Sequence, residues 1–226
     1  MKSTVKRNDG EEVECFYYPD VFSNVTDLEH AKQLTVTKEK DLTSEERWKV
    51  ETKFAIDTFL KFVYLNKNSR VLDYGCGVGR LSKALIDRVD CSIVGVDISP
   101  RMRSLAMEYV NQSCFEACSS EELRTSVMSF DCAIAAWVLQ HCAVPSMDID
   151  LLAEVLKPKA HLLVLNSFSR TVPIKVPSDD TLCWMDDGIN IQDLLLKYFI
   201  PIQHGEFPAE LAPLNSGTYW AVYRRK

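Results

Sequence analysis

The sequence predicts an α/β protein built on a doubly wound, mostly parallel sheet, and three observations carry that prediction. From Ser69 onward, short apolar runs alternate with stretches of helical periodicity. Those runs are apolar throughout, as in strands covered by helices on both faces. Between the first run and the first helix lies a glycine-rich turn, within the stretch VLDYGCGVGRLSKALI from Val71 to Ile86.

Residues 1–42 read as a polar, irregular lid or tail in which CFYYPDVF is the apolar cluster, and residues 43–226 as the α/β domain. At Thr43 the pattern changes. TSEE is a capping box, and Trp48, Ala55, Phe59, Phe62 and Val63 follow at helical spacing. RVLDY is then a strand, GRLSKALIDRV a helix and CSIVGVD a strand. SPRMRSLAMEYV is a helix with Ser99 at its cap and Pro100 in its first turn. SCFEAC and FDCAIAAW are the third and fourth strands, DIDLLAEVL a helix that Asp148 and Asp150 cap, and HLLVLN the fifth strand. After a helix over INIQDLLLKYF, the segments IPIQHGEFPAEL and TYWAVYRR are strands in direct succession, which predicts an antiparallel hairpin at the sheet's edge.

Composition excludes several classes. With 226 residues, 46% of them hydrophobic, the chain can bury one substantial core. A formal net charge of −6 disfavours capture of nucleic acid or an anionic membrane, which needs a basic face. The first residues hold no apolar run of signal-peptide length, and later apolar windows are too short to span a bilayer, so a cytoplasmic protein is expected. The eight cysteines lack C-x-x-C spacing and fall mostly in apolar runs, as reduced thiols do. Cys114 and Cys118 lie four apart without a nearby His, so no metal site is predicted.

Gly75, Gly77 and Gly79 stand where missing side chains permit a tight turn and let backbone amides approach a ligand. The spacing is G-x-G-x-G, whereas the dinucleotide fingerprint is G-x-G-x-x-G. Asp97 ends the next strand, where a carboxylate accepts hydrogen bonds from both ribose hydroxyls of a nucleoside. Asp73 precedes the first glycine and suits a cationic ligand better than a pyrophosphate. Both differences point away from NAD.

VLDYGCGVGRL, GVDIS, FDCAIAAWVLQH and LKPKAHLLVLNS, occurring in that order, resemble successive motifs of the class I S-adenosylmethionine-dependent methyltransferases over about residues 69 to 168. The resemblance implies a Rossmann-like, seven-stranded sheet whose last strand is antiparallel, with S-adenosyl-L-methionine as cofactor and S-adenosyl-L-homocysteine as product. It implies that Asp73, Gly75 and Gly77, with Cys76 between them, face the methionine half and Asp97 the ribose. Ile98 and Met102 pack on the adenosine, or Met102 is plain core; Ala136 and Trp137 join the contacts from the fourth strand's end. Arg80 matches family members in which it pairs with the methionine carboxylate; a surface salt bridge is the alternative. The chain departs from the family twice. Where many relatives contact the adenine amine through an aspartate, it offers Ser119, Ser120 and Glu121, and where they have Pro-Gly-Gly before strand five, it has Lys-Pro-Lys-Ala.

Methyl transfer from a sulfonium is an in-line displacement in which the protein aligns the acceptor and excludes water. His141, just past the fourth strand on the sheet's carboxyl edge, is the candidate base, against the alternative that its ring merely hydrogen-bonds backbone. Asn166 at the end of strand five is a second candidate, or caps the loop there. Trp48 and Glu51 either close the top of the cofactor site or belong to the core; Trp184, Asp186 and Asp187 either select the acceptor or form an exposed turn. The expected function is methylation of a small molecule at oxygen or nitrogen. A protein acceptor is the rival, because GCGVGR and WVLQH resemble the protein α-N-terminal methyltransferases, although Asn166-Ser167-Phe168 stands where those carry Lys-Asp-Asn. A non-catalytic S-adenosylmethionine-binding or scaffold protein is the other alternative.

Overall fold

The computed structural model describes residues 2–6, 12–39, 41–177 and 180–226. Helix α2 (Ser44–Phe62) starts at the expected capping box, Thr43 and Glu46 satisfying each other's backbone amides. Strand β3 (Arg70–Tyr74), helix α3 (Arg80–Ile86), β4 (Ser92–Val96), α4 (Pro100–Val110, capped by Ser99), β5 (Phe115–Cys118), α5 (Ser120–Thr125), β6 (Phe130–Ala136), α6 (Pro145–Val155) and β7 (Leu156–Ser167) then alternate. They build the central sheet with β10 (Phe199–Gly205) and β11 (Thr218–Arg225), in the order β10-β11-β7-β6-β3-β4-β5. Pairings from β7 to β5 are parallel, and β11 runs antiparallel to both neighbours. That is the predicted architecture.

Strand pleating sends alternate residues to opposite faces. Leu72, Ala133, Leu162 and Val164 enter one buried cluster with α6 and α7 (Ile191–Leu195), and Val71, Ile134, Leu163 and Leu165 enter another with α2 and α3. Both faces are covered, which explains strands without polar alternation.

The expectation of an irregular segment before residue 43 is corrected for the residues described there; residues 1, 7–11 and 40 lie outside them. Strands β1 (Lys2–Lys6) and β2 (Glu12–Tyr17) and helix α1 (Leu28–Thr35) occupy this stretch. A second, antiparallel sheet, β1-β2-β8-β9, joins them to β8 (Val172–Val176) and β9 (Thr181–Met185). Its core is small: Cys15, Val172, Ile174 and Val176. The pairing that joins its two local hairpins, β2 with β8, links Phe16 to Lys175 and Tyr17 to Ile174, so no local pattern announces the sheet.

Two ends also differ. Helix α7 stops at Leu195, and the strand predicted through residue 211 stops at Gly205, after which Ala209–Asn215 forms a 3₁₀ segment. The Lys-Pro-Lys-Ala turn is made with Lys159 in the left-handed region, φ 66°. Because a left-handed L-residue costs roughly 1–2 kcal/mol, partly offset by glycine's unfolded-state entropy, Lys159→Gly is expected to stabilise the protein by up to about 1 kcal/mol. In a thermal melt that is a rise of about 2–4 °C; an unchanged or lower midpoint would show the turn to be free of strain.

Candidate active site

A cavity of about 800 Å³ opens at the carboxyl edge of the parallel strands, where the strand order reverses between β3 and β6. The glycine turn forms one wall. Gly75 has φ 75°, its amide donates to Val96 O at 2.7 Å, and a Cβ there would meet the Val138 side chain at 2.4 Å. Only glycine fits this approach. The Asp97 carboxylate braces the turn, accepting from the Gly77 amide at 2.9 Å and the Ser99 amide at 2.9 Å. Burial raises its carboxyl above the usual value, with those two amides pulling the other way.

Of the residues expected here, Gly75, Gly77, Asp97, Ile98, Met102, Ser120, Glu121, Ala136, Trp137 and His141 line the cavity. Five others stand behind its wall. Asp73 accepts from Ser82 Oγ at 2.6 Å, and burial pushes its carboxyl up to about 6. Cys76 is buried, its thiol on Gly77 O and packed against Gly95. Ser119 is consumed as the cap of α5, in a capping box with Glu122. Asn166 is fully buried, its Oδ1 accepting from the Gln140 amide at 3.1 Å. Arg80 is turned away, pairing with Glu51 at 2.6 Å and donating to Thr52 at 2.9 Å.

Of the two arginines that Glu51 holds, Arg47 lines the cavity, which sequence reasoning missed although it stands four residues before Glu51 on the same helix face. Glu51 is fully buried and accepts from Arg47 Nε at 2.8 Å, Arg80 at 2.6 Å and Trp137 Nε1 at 2.8 Å. Burial alone would raise its carboxyl; Arg80 and Arg47 outweigh that and hold it below the usual value. Trp137 sits at φ 58°, with the Arg47 guanidinium 5.0 Å from its ring and Phe207 6.1 Å away and nearly parallel. Arg47 also donates to Thr37 O at 3.1 Å, which ties the segment after α1 to the site.

On the other side of the cavity His141 Nδ1 lies 2.6 Å from Thr171 O. A carbonyl only accepts, so Nδ1 carries the proton and Nε2 keeps its lone pair, toward which the Gln140 side-chain amide points at 3.2 Å. Burial holds the imidazole below its ordinary pKa despite that Thr171 bond, and Arg170 adds to the effect. Phe22 and Trp184 cover the ring at 5.3 and 5.6 Å between centroids. Trp184 thus reaches the site, whereas Asp186 and Asp187 turn to Arg170. Asp148 and Asp150 do not cap α6, whose N-cap is Val144: Asp148 takes the Tyr74 hydroxyl at 2.5 Å and Asp150 pairs with Lys197. Among the described residues there is no group of three His, Cys, Asp or Glu that could hold a metal, and no helix long and apolar enough to cross a membrane.

A glycine turn, a strand-end aspartate and a pocket at the switch point define a doubly wound α/β protein that binds a nucleoside-containing ligand. Within that class, residues 47–207 match the family model described as a methyltransferase domain, and the chain belongs to this family, the class I S-adenosylmethionine-dependent methyltransferases. It is similar to the ubiquinone biosynthesis O-methyltransferase of Agrobacterium fabrum, 26% identical over 136 residues that cover 57% of this chain and 54% of that protein. It is also similar to the malonyl-[acyl-carrier protein] O-methyltransferase of Acetivibrio thermocellus, 38% identical over 91 residues, 38% of this chain and 32% of that one. The chain spans about half the length of the ubiquinone-pathway relatives it matches. In fold it resembles N-methyltransferase NodS from Bradyrhizobium japonicum WM9 in complex with S-adenosyl-L-homocysteine, with a TM-score of 0.56 and 15% identity, over 77% of this chain and 85% of that one.

Removing one partner from a buried ion pair leaves an uncompensated charge and costs about 3–5 kcal/mol. Glu51→Gln is therefore expected to lower the unfolding free energy by about 3 kcal/mol in a denaturant titration; a loss below about 0.5 kcal/mol would show that Arg47 and Arg80 are stable without it.

Proposed function

We propose that this chain transfers a methyl group from S-adenosylmethionine to an oxygen or nitrogen of a small molecule. The observation that carries the proposal is the charge of the cavity. Among the described residues its lining holds Glu39, Asp97, Glu121 and Asp148 against Arg47 and Arg124, and Asp73 lies just behind. An acidic site suits a sulfonium ligand and repels a pyrophosphate. The cradle fits as well, since the close approach at Gly75 and Gly77 leaves backbone where a side chain would stand.

When bound, this cofactor supplies an already activated methyl group, so the residues around it need only position, shield and move one proton. Asp97, with lone pairs left beyond its two amide bonds, would accept from the ribose hydroxyls, and Ile98 and Met102 would pack on the adenosine. Arg47 would take the amino-acid carboxylate, the role Arg80 forgoes by pairing with Glu51. His141 would receive the acceptor's proton at Nε2, the acceptor hydroxyl or amine replacing the Gln140 amide there. The Thr171 carbonyl holds the tautomer this needs and favours the imidazolium once formed. Phe22 and Trp184 exclude water from the histidine, and their closeness to it favours a small acceptor over a polypeptide.

Incubation with methyl-labelled S-adenosylmethionine, separately on metabolite and protein fractions, tests the proposal: label is expected in a small molecule, and label in neither fraction would sink it. Asp97→Ala should weaken S-adenosylhomocysteine binding by about tenfold or more in calorimetry, since hydrogen bonds to a charged acceptor contribute roughly 1.5–3 kcal/mol. His141→Ala should abolish turnover while that affinity is retained. The histidine is a base only when neutral, and its pKa is depressed, so activity should fall with decreasing pH along a limb centred below about 6.5. A limb at or above that value would assign the proton to another group.

A further inference from the structure

Asp148 lines the same cavity and has no part in the proton transfer assigned to His141. It is a half-buried carboxylate, and among the described residues no lysine or arginine lies within ion-pair distance of it. The Tyr74 hydroxyl donates to it at 2.5 Å, the Cys142 thiol hydrogen-bonds it as well, and it stands in the first turn of α6. The groups around it are Tyr17, Tyr74, Cys142 and Arg124. Arg124 is exposed at the rim and donates to Met147 O at 3.4 Å. Arg170 is occupied with Asp187 at 2.9 Å and Cys142 O at 2.6 Å. The other carboxylates of the site are differently served: Asp97 has two backbone amides, and the fully buried Glu51 has two guanidinium groups.

A half-buried carboxylate that has hydrogen bonds but no ion-pair partner is stabilised further by a positive charge brought beside it. Tyr17, Tyr74, Phe22 and Trp184 share the cavity lining with Asp148, and aromatic faces attract ammonium groups. We infer that Asp148 is the anchor for an ammonium group on the acceptor, so that the acceptor is an amine rather than a neutral alcohol. This rests on the methyl-transfer reading. It also answers a difficulty within it: two cations, sulfonium and ammonium, share one cavity only where acids outnumber bases, and the second acid must lie on the acceptor's side. Asp148 is a binding residue in this scheme, and the proton still leaves to His141.

The test uses the full chain saturated with S-adenosylhomocysteine and two probes of equal shape, benzylammonium and benzyl alcohol, titrated by calorimetry. Benzylammonium is expected to bind at least about tenfold more tightly, the scale of one charge-assisted hydrogen bond. Asp148→Asn should erase that preference with unchanged S-adenosylhomocysteine affinity, and Tyr74→Phe, which leaves the carboxylate in place, should keep it. Equal binding of the two probes by the wild-type protein, including no binding of either, overturns the inference, as does a preference that survives Asp148→Asn. If Asp148→Asn fails to fold, the wild-type and Tyr74→Phe comparison decides. Failure of the wild-type protein to bind S-adenosylhomocysteine is a separate result, and it overturns the donor reading instead.

Discussion

The carboxylate of Glu51 is the interaction on which the site depends. It lies between three elements that are far apart in the chain, accepting from Arg47 on its own helix, Arg80 at the start of α3 and Trp137 just past β6. A left-handed tryptophan costs about 1–3 kcal/mol and persists only where its surroundings over-determine it. Here the indole is bonded at its nitrogen, contacted by the Arg47 guanidinium and stacked on Phe207. The residue after it, Val138, is the one packed against Gly75. The glycine turn's close approach and the tryptophan's strained backbone are thus two sides of one contact, and Glu51 holds it in register.

That arrangement redistributes roles. Two guanidinium groups share one carboxylate, so the buried cluster carries an excess positive charge, and of the two arginines only Arg47 lines the large cavity. An anionic group on a ligand would complete the balance there. Arg47 also reaches Thr37, so completing that balance fixes the stretch that follows α1. In the proposed complex the cluster would join the stretch that follows α1 to the amino-acid end of the ligand.

The glycine-turn wall of the cavity was legible in the sequence because its parts are local. A glycine turn, the aspartate ending the next strand and the helix caps each declare themselves within a few residues, and the parallel strands do so by being apolar on both faces. The wall around His141 was not. Phe22 and Trp184 meet over His141 because β2 pairs with β8 and β8 with β9, and short antiparallel strands with a small core leave no periodic signal. Tyr17 and Phe22 stood in the one apolar cluster of the first segment, a sign that it packs somewhere but not where. Helix-start chemistry misled for Asp148 and Ser119 in opposite senses. The aspartate fits the pattern of a cap yet serves Tyr74, and the serine looked like a ligand contact yet serves its own helix.

The acids around the cavity make its electrostatics depend on what it holds. Asp73 has a folded pKa of about 6 against an ordinary value of 3.8, because burial disfavours its charge more than Ser82 favours it. The sign follows from linkage: a carboxyl raised on folding contributes stability below 3.8, and that contribution is lost as pH rises through about 6. At neutral pH the folded protein therefore carries an ionised Asp73 at a cost. A cation bound nearby favours the ionised form and removes part of that cost, so the positive charge of the ligand is itself a stabilising interaction with the fold. The same logic applies to Asp148, which is raised by burial and lacks an ion-pair partner among the described residues. A site built this way discriminates against anionic nucleotides before any specific contact is made, since each buried acid that a sulfonium or ammonium relieves would be burdened further by a phosphate.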